Sequence, residues 1–180
     1  GPNTGGMGAY TPAPILPEDQ WQAVSDRIIR PIIQAMAAEG APFVGVLYGG
    51  LMMDGDDYKI LEYNVRFGDP ECQPLLMRLD GDLAEIMLAC VEGRLDQVKA
   101  AYRPESTVCV VMAAGGYPAS YSKGMAITGI DEAEALGDGS QVKVFHAGTT
   151  LEDGVIKASG GRVLGVTAMG EDLAAAQALA

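Results

Sequence analysis

The chain has 180 residues, 48% of them hydrophobic, and a formal net charge of -12 from 24 acidic against 12 basic residues. That is enough apolar material for one domain or two small ones, and it argues against disorder. The acidic balance speaks against nucleic acid and anionic membranes as main partners; a nucleotide stays open, because it needs only local positive charge and a metal.

Gly1–Pro14 reads as a loop rich in glycine and proline. Pro17 to about Glu39 reads as a helix, with Glu18 and Asp19 in its first turn, Gly40 as its stop, and Trp21, Val24, Ile28, Ile32 and Met36 as its apolar stripe. Pro31 must kink or divide it. Phe43–Met53 and Tyr58–Phe67 read as two strands, with Asp54-Gly55-Asp56-Asp57 as the hairpin loop. This pairing would put Gly49 near Glu62, leaving room above the acid for a ligand. Asp69-Pro70-Glu71 has a helix-start pattern, with a capping acid and proline at the first helical position; Pro74 keeps that helix short. Asp82-Leu83-Ala84-Glu85 resembles a capping box opening a helix that ends at Gly93, with Leu83, Ile86, Met87 and Val91 toward the core.

The polar stretch from Arg94 to Glu105 reads as a domain junction. Beyond it, Thr107–Ala113, Gly124–Ile130, Gln141–Phe145, Val155–Ala158 and Arg162–Ala168 read as short strands, and Asp131–Leu136 as one or two helical turns. Lys157–Arg162 reads as a tight hairpin. The chain opens without methionine inside a glycine loop and closes on an uncapped helical pattern, so a piece of a larger protein is expected, with trimmed termini as the alternative. Cys72, Cys90 and Cys109 form no CxxC pair and no zinc spacing, which fits free thiols in a reducing cytoplasm. No apolar run reaches the roughly 18 residues of a membrane helix.

The segment from Leu61 to Glu71 carries the chemistry. In a strand over 58–67, Glu62, Asn64 and Arg66 would share one face, about 7 Å apart at each step, and that face is expected to be the buried one. A carboxylate and an amide oxygen suit a hard cation such as magnesium, and a guanidinium suits a phosphate or carboxylate. Plainer readings remain open. Glu62 and Asn64 can be surface residues of a half-exposed strand, Arg66 and Asp69 can pair with each other, and Asp69 can be only a helix cap. The glycines of Asn3-Thr4-Gly5-Gly6-Met7-Gly8 can be turn residues or can offer N–H groups to an anion. A calcium loop at Asp54 is rejected, because Lys59 and Val65 stand where glycine and glutamate are required. His146, the only histidine, reads as structural. No GxxxxGK[ST] loop, GxGxxG strand turn or GxSxG elbow is present.

Arg66-Phe67-Gly68-Asp69-Pro70-Glu71-Cys72-Gln73 resembles the RFGDPE-x-[EQM] motif of the phosphoribosylamine–glycine ligase family. Gly1-Pro2-Asn3-Thr4-Gly5-Gly6-Met7-Gly8-Ala9-Tyr10 resembles that family's PNTGGMGAY loop. Val144–Thr149 and Gly161–Thr167 resemble its carboxy-terminal domain. The resemblance implies an α+β fold: residues 1–98 would be the C-terminal part of an ATP-grasp domain, an antiparallel sheet with helices, and residues 104–180 a small β-rich C-terminal domain cut short at its end. It implies a carbon–nitrogen ligase that joins glycine to 5-phosphoribosylamine with ATP, through glycyl phosphate, in the second step of purine synthesis.

By the same resemblance, Glu62 and Asn64 match the family's Mg2+ or Mn2+ ligands. Arg66 would be catalytic, on the transferring or acyl phosphate. Asp69 and Glu71 would orient Arg66 or recognise the glycine amine, and Asn3, Thr4, Gly5 and Gly6 would line the substrate side. Two departures stand out. Gly49 and Gly50 occupy the region where many ATP-grasp enzymes carry a further acidic ligand. The family's N-terminal domains, with the nucleotide-binding lysine, are also missing, so the fragment alone is expected to be inactive. Another ATP-grasp carboxylate–amine ligase and a non-catalytic scaffold remain as alternatives.

Overall fold

The structure, a computed structural model, describes residues 1–55 and 57–180, apart from the side chain of Glu18. Within the expected opening loop lies a strand, β1 (Gly8–Thr11). The first helical region starts with a 3-10 turn, Glu18–Gln20, and runs through α1 (Trp21–Val24), a π-helical stretch (Ser25–Ile29) and α2 (Arg30–Ala38). Pro31 accounts for the interruption: it has no N–H to give, and its ring crowds the carbonyl four residues back, so the ladder widens just upstream. Gly40, at φ +80°, follows the helix end.

β2 (Tyr48–Asp54) and β3 (Asp57–Asn64) pair antiparallel, Asp54 opposite Asp57. The connecting Gly55 has φ +59°, as a tight hairpin requires, and Asp56 of the expected loop lies outside the described residues. β3 stops at Asn64 rather than Phe67. Next come α3 (Cys72–Arg78), β4 (Leu79–Asp80), α4 (Leu83–Glu92), a 3-10 turn (Leu95–Gln97) and β5 (Ala101–Tyr102), which pairs with β4. Asp82 caps α4 as expected, accepting from the N–H groups of Ala84 at 2.9 Å and Glu85 at 3.2 Å, and Gly93 closes it at φ +71°. The remaining elements are β6 (Ser106–Ala113), α5 (Ile130–Glu134), β7 (Val142–His146), β8 (Thr149–Glu152), β9 (Val155–Ala158), β10 (Arg162–Gly170) and α6 (Leu173–Leu179).

Three expectations are corrected here. Lys157–Arg162 is not a hairpin: β9 pairs with β8, a strand that sequence reading misses, and β10 pairs with β6 and β7. Gly124–Ile130 is not a regular strand. It runs beside β9 through backbone bonds such as Ile127 to Ile156 at 2.8 Å, but only Ala126 forms a bridge. On α4, Leu83 and Ile86 are half-buried, but Met87 is exposed and Val91 is 77% exposed, so only part of the expected core face is covered. Among the described residues, no helix is long and apolar enough to cross a membrane.

The chain divides into two units, each assembled from separated segments. The sheet unit takes 1–12, 69–79 and 102–180; the hairpin unit takes 13–68 and 80–101. In the sheet unit the strand order is β1-β6-β10-β7, all antiparallel. β10 is central and mostly buried, as a strand built of Val, Leu, Gly, Thr and Ala is when both faces are covered. Its small residues allow close approach: a Cβ on Gly170 would lie 2.5 Å from the Ala176 nitrogen of α6. A bulge at Val163 separates Arg162, opposite Ala113, from Leu164, opposite Met112.

In the hairpin unit, Val24, Ile28 and Tyr58 form the buried cluster, with Leu16, Ile29, Leu51 and Met53 packed on it. β3 carries its own bulge. Gly50 opposes Glu62 while Leu51 opposes Ile60, so Leu61 is the extra residue. The bulge changes which side chains share a face. Tyr58 and Ile60 lie on the helix side before it; after it Tyr63 does, its hydroxyl donating to the Ile28 carbonyl at 2.8 Å.

Candidate functional site

Because Tyr63 turns to the helices, Glu62 and Asn64 project from the opposite face of β3. Asn64 Nδ2 donates to Glu62 Oε1 at 3.1 Å. The acid and the amide are thus brought together as expected, but three details differ. The face is not buried: Glu62 is exposed and Asn64 half-buried. Gly50, not Gly49, sits opposite Glu62, and a Cβ there would lie 3.4 Å from Glu62 Cγ. Gly49 instead faces Ile29 and Ile60. Arg66 does not continue the row, since β3 ends at Asn64, and its Nη1 donates to the Phe67 carbonyl at 2.8 Å.

The donor set has a definite character. A carboxylate and an amide oxygen are hard ligands, suited to magnesium or manganese and poorly suited to softer metals. Among the described residues, no cluster of three His, Cys, Asp or Glu could hold an ion by itself. Two protein oxygens fit a cation that keeps water and takes its other ligands from phosphate.

The sheet unit holds the second group. Asp69 does not cap α3. The α3 N-cap is Glu71, without a side-chain capping bond, and the Asp69 Oδ2 accepts from Arg162 Nη2 at 2.6 Å. Proline therefore does not occupy the first helical position, as the helix begins at Cys72. Arg162 Nη1 donates to the Gly6 carbonyl at 2.9 Å and to the Asp69 carbonyl at 3.1 Å. Asn3 Oδ1 accepts from the Gly5 N–H at 2.9 Å, Thr4 Oγ1 donates to the Gly5 carbonyl at 2.9 Å, and the Tyr117 hydroxyl donates to the Thr4 carbonyl at 2.5 Å.

The loop's glycines are required by this packing. Gly5 has φ +66°, with the Arg162 guanidinium 3.4 Å from where a Cβ would stand; a Cβ on Gly6 would meet Pro70 Cδ at 2.4 Å. Asn3, Thr4, Gly5, Gly6 and Asp69 thus gather in one place. Glu71 is half-buried at the start of α3. Burial first, and the Asp69 charge second, push the Cys72 thiol above its ordinary value, so it offers no thiolate here. Arg162 and Tyr117 are the residues that sequence reasoning misses. The available signal is Gly160-Gly161-Arg162: a Cβ on Gly161 would fall 2.2 Å from the Tyr117 ring, so the glycine pair marks a close approach and not a turn.

Comparison with known proteins gives the family of the chain. The family model described as "Phosphoribosylglycinamide synthetase, ATP-grasp (A) domain" matches residues 1–72. The model described as "Phosphoribosylglycinamide synthetase, C domain" matches residues 107–180. Phosphoribosylamine–glycine ligase of Rhodopirellula baltica is 55% identical over 98% of this chain and 40% of its own length. The chloroplastic enzyme of Arabidopsis thaliana is 53% identical over 96% of this chain and 33% of its own. The crystal structure of phosphoribosylamine–glycine ligase from Thermotoga maritima superposes with a TM-score of 0.80 at 34% identity, covering 99% of this chain and 42% of that one. The chain therefore spans between 33% and 56% of the length of the first relatives it matches. Its α+β fold, part of an ATP-grasp domain joined to a small β-rich C domain, is that of a member of the phosphoribosylglycinamide synthetase family.

Proposed function

We propose that the parent of this chain is a carbon–nitrogen ligase that joins glycine to 5-phosphoribosylamine with ATP, giving glycinamide ribonucleotide, ADP and phosphate in purine synthesis. The observation that carries this reading is identity near 50% to phosphoribosylamine–glycine ligases over nearly the whole chain. In the reaction, a glycine carboxylate oxygen attacks the γ-phosphorus of ATP, and ADP leaves. The amine of 5-phosphoribosylamine then attacks the glycyl carbonyl, releasing phosphate and a proton as the amide forms.

Glu62 and Asn64 would hold Mg2+ or Mn2+, which supplies neutralising charge to the phosphates when bound. Arg66 would turn from the Phe67 carbonyl to the transferring or acyl phosphate. Asp69 and Glu71 would receive the glycine ammonium or orient Arg66, and Asn3, Thr4, Gly5 and Gly6 would line the substrate side. Residues 1–98 would belong functionally to the ATP-grasp domain and 104–180 to the C domain. The N-terminal domains of the parent would supply the other wall of the ATP cleft. No nucleic acid or membrane partner enters this reading. The three free cysteines support a reducing, cytoplasmic setting.

An ADP-release assay with both substrates tests the proposal. The intact parent is expected to turn over, and Glu62→Gln to lower turnover at least about 100-fold. The 180-residue chain alone is expected to release no ADP. Turnover by the chain alone, or a parent indifferent to glycine, would refute it.

A further inference from the structure

Arg162 gathers three separated segments of the sheet unit. Its planar fork places one nitrogen on the carbonyls of Gly6 and Asp69 and the other on the Asp69 carboxylate. It is also the firmer partner of that ion pair, with 24% of its side chain exposed against 56% for Asp69. The backbone beneath it is clamped. The bulge at Val163 sets its direction, and its carbonyl accepts from the Gly148 N–H at 2.9 Å. Gly148 and Gly160 have no room for a Cβ, which would fall 2.6 Å and 2.9 Å from neighbouring backbone. Tyr117, packed on Gly161, holds the Thr4 carbonyl from the same region.

We propose that Arg162 is a positioning residue for the amino-acid substrate: it locks the Asn3–Gly6 loop against the Asp69 turn and presents Asp69 Oδ1 to the substrate ammonium. The carboxylate is divided between two tasks. Oδ2 is spent on the guanidinium, while Oδ1, among the described residues, takes a long contact from Gln73 Nε2 at 3.5 Å and is available to a cation. Without the fork, an exposed aspartate rotates freely and the loop loses its anchor at Gly6. This inference rests on the ligase reading, in which Asp69 receives the glycine ammonium.

The test uses the intact parent, with Arg162→Gln, Arg162→Lys, Asp69→Asn and the Gln/Asn double variant. Hydrogen exchange comes first, because it does not depend on the reaction. Arg162→Gln is expected to speed exchange of the Gly5–Gly8 amides while those of β6 and β10 keep their protection. Kinetics follow. Arg162→Gln should raise KM for glycine about 10- to 100-fold, the worth of one charge-assisted hydrogen bond, with KM for ATP changed less than about twofold. Arg162→Lys, which keeps one contact, should fall between. The double variant should be no worse than Asp69→Asn alone. An unchanged loop, an unchanged KM for glycine, or equal losses for both substrates together with a lower melting temperature would overturn the positioning role. Wild-type turnover in those cases would leave the ligase reading standing. Absence of wild-type ADP release with both substrates would overturn that reading and this inference with it.

Discussion

In the sheet unit the central strand β10 is covered on both faces, and Thr107, Thr167, Ala168 and Ala176 have no exposed surface at all. In the hairpin unit Tyr58 is the one buried residue of β3, and Trp21, Leu61, Met87 and Leu88 stand in solvent. The two candidate groups inherit this contrast. Arg162, Asp69 and the glycine loop are fixed by a four-stranded sheet with helices against it. Glu62 and Asn64 ride on a two-stranded hairpin, a unit only marginally stable in water without support. That support comes from the helical side, through Tyr58 in the buried cluster and the Tyr63 hydroxyl on Ile28. The difference separates two design tasks. The group around Asp69 lies at the surface but is tied to a buried strand through Arg162, while the Glu62/Asn64 pair sits on an element with much apolar surface still open.

Core substitutions offer the largest test of this contrast. Leu164→Ala, at a site 5% exposed beside Val144 and Val163, is expected to cost the isolated chain about 2–5 kcal/mol in denaturant unfolding. Leu61→Ala, at a site 63% exposed, should stay within about 0.5 kcal/mol. Similar losses at the two sites would break the comparison.

A smaller effect is expected from Asp82→Ala, which removes two capping bonds from α4 and should cost about 1 kcal/mol. Amide exchange should rise along Leu83–Glu92 and leave β10 unmoved; loss of protection in β10 would show that the units do not open independently.

The smallest effect concerns acid. The Lys143 ammonium, and then the Val144 N–H, hold the Glu134 carboxyl below its ordinary value of 4.5. A carboxylate depressed in the folded state contributes stability above its ordinary value and loses it as pH falls through the lowered one. Melting curves of Glu134→Gln should therefore lose a small part of their slope on the acid side, below about pH 4.5, and match wild type in shape above it. An unchanged acid slope would mean the pair is screened by solvent.

Much of the fold is legible where local chemistry decides it. Asp82 and Gly93 bracket α4, Pro31 interrupts its helix, and Val155–Ala158 is a strand with the expected ends. Pairing is harder to read. The Gly160-Gly161 dipeptide has the composition of a turn, but its glycines serve close backbone packing against Gly148 and Tyr117, so β9 and β10 go to different partners. Glu62 and Asn64 were legible as neighbours because residues two apart in a strand share a face. Arg66 was not, because nothing in the alternation says where β3 stops. Arg162 and Asp69 lie 93 positions apart, and no local pattern links them.

Leu61 decides which way the strand beyond it faces. A replacement side chain at this outward position disturbs little, and dropping the residue would only close the bulge, with Ile60 still opposite Leu51 and Glu62 still opposite Gly50. Taking Leu61 into the regular ladder is the damaging change: it would stand opposite Gly50, and every residue after it would trade sides. Glu62 and Asn64 would then point into the helices, and Tyr63 would swing away from Ile28. The extra residue therefore matters more than its identity, and a slip of one position would remove the cation pair while leaving both of its members in the sequence.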